Sequence, residues 1–159
     1  MKFIDRATDA WQPVVDTEAP AAAANRLLTL AQWQAVRATW PLDVPVGVLL
    51  PNTFDVEELA SDLPRLALVA LEFPKWVDGR AYSQAHVLRA RLRYAGEIRA
   101  TGEVLVDMMP LLQRCGVDAV VLREGERQAS AERALGFFPA GHYQGDVPQP
   151  NPLFARKAA

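Results

Sequence analysis

Four short apolar runs, each followed by a stretch of helical character, constrain this chain more than any other feature. They are Val46-Gly47-Val48-Leu49-Leu50, residues 67–73 (ALVALEF), residues 97–101 (EIRAT) and residues 118–122 (DAVVL). A short continuous apolar run is the mark of a strand buried on both faces. The segments between them read as helices. One covers residues 55–62, opened by Thr53 or Asp55. A second starts at Asp78 or Ser83, runs to about Tyr94, and ends at Gly96 in a left-handed C′ position. A third covers residues 104–114, kinked or restarted at Pro110 and closed by Gly116, and a last one covers 128–135. Strand–helix units in series imply parallel pairing with right-handed crossovers. The fold class is therefore α/β, about four short parallel strands alternating with helices, as a half-barrel-like or a small doubly wound sheet. Four strands cannot close the usual eight-stranded barrel, so the open doubly wound sheet is read ahead of the half-barrel.

Residues 1–28 read as an irregular arm or short strand, and Thr29 can cap a helix over 29–39 that Pro41 stops. The α/β core spans 45–140 and a tail rich in Pro and Gly, expected to be mobile, spans 141–159, all within one domain of 159 residues. Seventeen Lys and Arg against nineteen Asp and Glu leave a net charge of −2, without the basic excess of a nucleic-acid binder. One cysteine excludes an internal disulfide framework and any Cys₄ zinc or iron–sulfur site built by this chain alone. No apolar run reaches the roughly 18 residues of a membrane span, and Met1-Lys2-Phe3-Ile4-Asp5-Arg6 has no signal-peptide core, so a cytoplasmic protein is expected. Neither His86 nor His142 has zinc-motif spacing, and the chain lacks G-x-S-x-G, G-x-x-x-x-G-K-[ST] and G-x-G-x-x-G. No cofactor or metal is expected.

In either architecture function belongs at the carboxyl ends of the strands. That selects Pro51-Asn52-Thr53, residues 72–80, Thr101-Gly102-Glu103 and Arg123-Glu124-Gly125. The richest stretch runs from Glu72 through Lys75, Trp76, Asp78 and Arg80 to Tyr82 and Ser83. Amide hydrogens at the helix start, with Lys75 and Arg80, suit an oxyanion; Trp76 and Tyr82 offer flat surfaces. The alternative is an ordinary structured loop in which Asp78-Gly79 turns the chain and Asp78 caps the helix. Side chains alternate along strands, so Glu72 and Arg99 can pair at the carboxyl edge if their strands are neighbours, either as an anion site or as a structural bridge. Cys115, at a helix C-terminus, is read as a boundary residue and not a nucleophile.

Three ordered blocks carry a resemblance. Residues 73–85 (FPKWVDGRAYSQA) match an FPxxxDGRxYSxA pattern. Leu88-Arg89, residues 96–102 (GEIRATG) and Asp107 match further elements, and residues 113–118 (QRCGVD) match a QRCGFD-like block with Val117 at the usual aromatic. Over about 45–140 the chain resembles the bacterial domain-of-unknown-function family 934, whose genes tend to lie beside those of sulfite reductase and other sulfate-assimilation enzymes, and whose members are labelled as oxidoreductases of sulfite reduction. The resemblance implies an accessory protein of assimilatory sulfite reduction, binding an oxyanion through Lys75, Arg80 and Arg99 or docking on sulfite reductase. Two other readings compete. One is a small enzyme acting on a phosphate- or carboxylate-bearing substrate, with Glu72, Asp78 or Glu103 as acid or base. The other is a non-catalytic interaction module. Unpaired strand edges make a homodimer compatible with all three.

Overall fold

The four apolar runs form the middle of a seven-stranded sheet in which every neighbouring pair is parallel. The structure is a computed structural model and describes residues 1–15, 19–138 and 147. Its strands are β1 (Lys2–Phe3), β2 (Gln12–Pro13), β3 (Arg26–Thr29), β4 (Val46–Leu50), β5 (Leu66–Phe73), β6 (Glu97–Gly102) and β7 (Ala119–Val120). The helices are α1 (Leu30–Val36), α2 (Arg80–His86), α3 (Met109–Arg114) and α4 (Gln128–Leu135). Across the sheet the strands follow one another from β2 to β7 without reversal, and β1 closes the far edge beside β7.

That order decides between the two expected architectures. A doubly wound sheet needs a point where the strand order reverses, which sends helices to both faces. Here the direction never reverses, so right-handed crossovers place the helices between β3 and β7 on one face. The sheet curls as a half-barrel, with seven strands instead of about four. Of the three additional strands, β1 and β2 lie in the arm expected at residues 1–28, and β3 runs from the arm into Thr29, the expected helix cap.

Alternation sorts the side chains. Val46, Val48 and Leu50 of β4, Val69, Leu71 and Phe73 of β5, and Ile98 and Ala100 of β6 join the core with Trp33, Leu88, Met109 and Leu112 beneath the helices. The register Ala70↔Arg99 and Glu72↔Thr101 puts Leu68, Ala70, Glu72, Glu97, Arg99 and Thr101 on the opposite, concave face.

Because β1 and β2 lie at opposite edges, the chain between them must cross the sheet. Asp9 meets Arg99, and Trp11 lies against the position a Cβ on Gly47 would take, 3.2 Å away, so the crossing runs over the concave face. Six flat strand spacings would measure roughly 29 Å, and the nine steps from Phe3 to Gln12 reach at most about 30 Å. Part of that length is spent in a turn, where Asp5 accepts from the amides of Ala7 and Thr8. Such an arm can bridge the edges only if the sheet curls, and it does.

Several local expectations change. Residues 55–62 form a short 3₁₀ turn (Val56–Leu59), with a second at Leu63–Arg65, where Pro64 interrupts any continuing helix. Helix α2 runs on into a wide π turn, Val87–Arg91, and the left-handed residue after it is Arg93, not Gly96. Gly96 is needed for space instead: a Cβ there would collide with the Tyr94 hydroxyl and approach the Ala67 carbonyl oxygen to 2.9 Å. The 104–114 segment does restart, as a 3₁₀ turn (Val106–Met108) followed by α3 with Pro110 in its first turn. The tail from 141 and His142 lie outside the described residues, apart from Val147.

Candidate functional site

The concave face is closed at one end and open at the other. At its closed end the crossing arm lies over the sheet, with Asp9 on Arg99 and Trp11 against Gly47. Toward the carboxyl ends of the strands a hollow of about 420 Å³ remains, and Trp11, Thr29, Leu49, Ala70, Glu72, Arg99, Thr101 and Val121 are among its lining residues. This is the edge at which a parallel sheet presents its function.

Arg99 is 3% exposed and held on both sides. Its Nη1 donates to Asp9 Oδ2 at 2.6 Å, while Nε and Nη2 donate to Glu97 Oε1 at 2.9 and 2.7 Å. Lys2 adds a longer contact to Glu97 at 3.4 Å. The expected pair between Arg99 and Glu72 does not form. Their strands are neighbours, but register sets Arg99 beside Ala70 and leaves Glu72 two residues farther along, beside Thr101. Glu72 is half-buried, and among the described residues its carboxylate makes no hydrogen bond or ion pair. The Thr29 hydroxyl is committed: it accepts from the Gln32 amide at 3.2 Å, and Gln32 Oε1 accepts from the Thr29 amide at 2.8 Å, closing a capping box at the start of α1.

The loop after β5 lies apart from the hollow. Lys75 and Arg80 are exposed and are not among the residues lining it. Arg80 is engaged by Asp78, donating Nη2 to Oδ2 at 2.6 Å and Nε to Oδ1 at 3.0 Å. That guanidinium holds the Asp78 carboxyl well below the usual carboxylate range, and the carboxylate raises the Arg80 pKa in turn. Asp78 Oδ1 also accepts from the Arg80 amide at 3.3 Å, while the N-cap position itself falls to Gly79. Tyr82 packs edge-on against Phe73, with ring centres 5.1 Å apart, on the helix-covered face. Burial, with a contribution from Cys115, pushes its phenol up to about 12. Ser83 is exposed on α2. The seven residues selected from sequence thus divide: Glu72 and Arg99 line the hollow, while Lys75, Asp78, Arg80, Tyr82 and Ser83 lie outside it. Glu103 is taken up by Arg123, which also reaches Glu126, both at 3.3 Å.

Much of the remaining motif content builds one structural node. Arg89, carried on the π turn, donates to the carbonyls of Tyr94, Gly96 and Gly116 and to the Asp118 carboxylate. Asp118 also accepts from the Ile98 amide at 2.8 Å. The LR, GE and CGxD elements therefore meet around one guanidinium. Gly116, at φ +90°, closes α3, and a Cβ there would press on the Arg89 side chain at 2.8 Å.

Sequence reasoning missed Asp9 and Trp11. Their partners lie tens of residues away, and no spacing rule connects them. Among the described residues no group of three or more His, Cys, Asp or Glu side chains is placed to hold a metal ion, and no helix is long and apolar enough to cross a membrane. A family model described as bacterial protein of unknown function (DUF934) matches residues 47–154, more than half of the chain. No curated protein and no solved structure matches it significantly.

Proposed function

The chain belongs to the bacterial family DUF934, and we propose that it is an accessory protein of assimilatory sulfite reduction that docks on the reductase and brings no redox centre of its own. The gene neighbourhood that the family resemblance implies supports the pathway. The observation that carries docking over anion capture is the loop after β5. It holds Trp76 at 57% and Val77 at 66% exposure, side by side, next to the exposed Lys75. Adjacent large apolar side chains in solvent, with a cation at the rim, have the make-up of an interface core. Arg80 and Arg99, by contrast, already face internal carboxylates, which weakens the case for a free oxyanion between them.

The test is binding of the purified full chain to sulfite reductase by biolayer interferometry. Trp76→Ala should weaken the complex about tenfold or more, the scale of an aromatic anchor, with the melting temperature unchanged. Sulfite alone should leave the melting temperature where it is. No complex between the wild-type chain and the reductase would end the docking reading. Deletion of the gene should give a strain rescued by sulfide and not by sulfite.

A second reading, a small enzyme, has one observation in its favour: the hollow at the strand ends that holds Glu72. Its phosphate- or carboxylate-bearing substrate finds less support, since the buried cation there is already opposed by two carboxylates.

A further inference from the structure

The buried cation inside the hollow is already paired. Arg99 is opposed by Asp9 and Glu97, and Glu97 also takes a contact from Lys2. What remains is Glu72, half-buried at the carboxyl end of β5 and without a partner among the described residues. Thr101 stands opposite it in register, Leu49, Ala70 and Val121 supply apolar wall to the hollow, and Trp11 supplies an aromatic wall toward the closed end. The other cation lining the hollow, Arg6, is exposed at its mouth and forms no ion pair among the described residues.

An anionic guest would meet the Glu72 carboxylate. A purely apolar guest would strip that carboxylate of water without replacing its hydrogen bonds, which is unfavourable. A guest with an ammonium group and an apolar body satisfies both surfaces: the charge-assisted hydrogen bond goes to Glu72, and the apolar body lies along the hollow toward the Trp11 ring. We propose that the concave hollow of the half-barrel binds a small organic cation, an ammonium group on an apolar body, with Glu72 as its counter-ion and Trp11 as its aromatic wall. This site is independent of the docking loop, whose residues do not line it.

The probes are n-butylammonium and phenethylammonium, titrated into the full chain and followed by thermal shift and tryptophan fluorescence, with sodium sulfate at matched ionic strength as the contrast. Both amines should raise the melting temperature saturably. Glu72→Gln, an isosteric change, should cut their affinity about tenfold or more while leaving the melting temperature of the free chain in place. Trp11→Leu should weaken phenethylammonium more than n-butylammonium, and Trp76→Ala should change neither. A flat response to both amines overturns the proposal, as does undiminished binding by Glu72→Gln. Saturable sulfate binding that strengthens in Glu72→Gln would also overturn it and make the hollow an anion site.

Discussion

Arg99 sits between Asp9 and Glu97 with almost no solvent contact, so the three charges stand or fall together. Replacing it by Met keeps the volume and leaves two carboxylates in a partly buried site with no cation between them. Breaking a buried pair from one side costs about 3–5 kcal/mol, and Arg99→Met should lose stability on that scale in urea denaturation. Asp9→Asn should lose less, because Glu97 still holds two of the guanidinium's donors. The tyrosines make a second prediction. Burial pushes the Tyr82 phenol up to about 12 and raises Tyr94 too, whose hydroxyl donates to the Leu66 carbonyl at 3.0 Å. A phenol with a raised folded-state pKa stabilises the fold fully below its ordinary value of about 10, and that contribution is lost as pH rises through the folded value. Stability should therefore hold through neutral pH and fall in the alkaline range. The near-ultraviolet phenolate band of both residues should emerge above its usual pH in the native chain, and Tyr82→Phe should remove one of the late components.

The first helix follows directly from its neighbours in sequence. Thr29 and Gln32 close a reciprocal cap, and Thr29→Ala should cost about 1 kcal/mol, measured by the shift in urea midpoint at constant slope. Elements of this kind were legible because their causes are local. The apolar run at Val46–Leu50 is a strand with those bounds, and the helix expected at 128–135 forms over Gln128–Leu135. Pro110 restarts its helix, and Gly116 closes it in the left-handed region. Elements with distant causes were not legible. Strands β1 and β2 are two residues each, too short for any periodicity, and exist because β7 and β3 offer them open edges. Gly96 carries a turn signal, yet its role is set by the Tyr94 ring folding back across it. At the site, alternation correctly put Glu72 and Arg99 on one face. Register, which no single strand contains, then separated them and handed Arg99 to an acid from the arm.

At the scale of the molecule, the family match and the folding unit differ in extent. The match begins at Gly47, inside β4, whereas the core also contains Leu28, Trp33, Val36, Trp40 and Val46 from the preceding segment. A fragment of residues 47–154 would lose β1, β2, β3 and α1. It would expose the β4 edge, with the apolar Val48 and Leu50, and uncover Gly47 where Trp11 lay. The half-barrel would also lose the arm that ties its two edges together and the Asp9 half of the clamp on Arg99. A single domain of this size has a net stability of about 5–15 kcal/mol. Each of several buried side chains removed would cost about 2 kcal/mol in lost burial, so the loss exceeds what the fold can absorb. The fragment should therefore show no cooperative thermal transition by circular dichroism and poor amide dispersion by NMR, while the full chain shows both cooperativity and dispersion. Adding a peptide of residues 1–46 should restore a concentration-dependent transition, because the missing strands pair at edges that the fragment still presents. A fragment that melts cooperatively by itself would mean that the first 46 residues decorate a domain complete without them, and the hollow beneath the arm would then belong to the preceding segment and not to the unit that the family model matches.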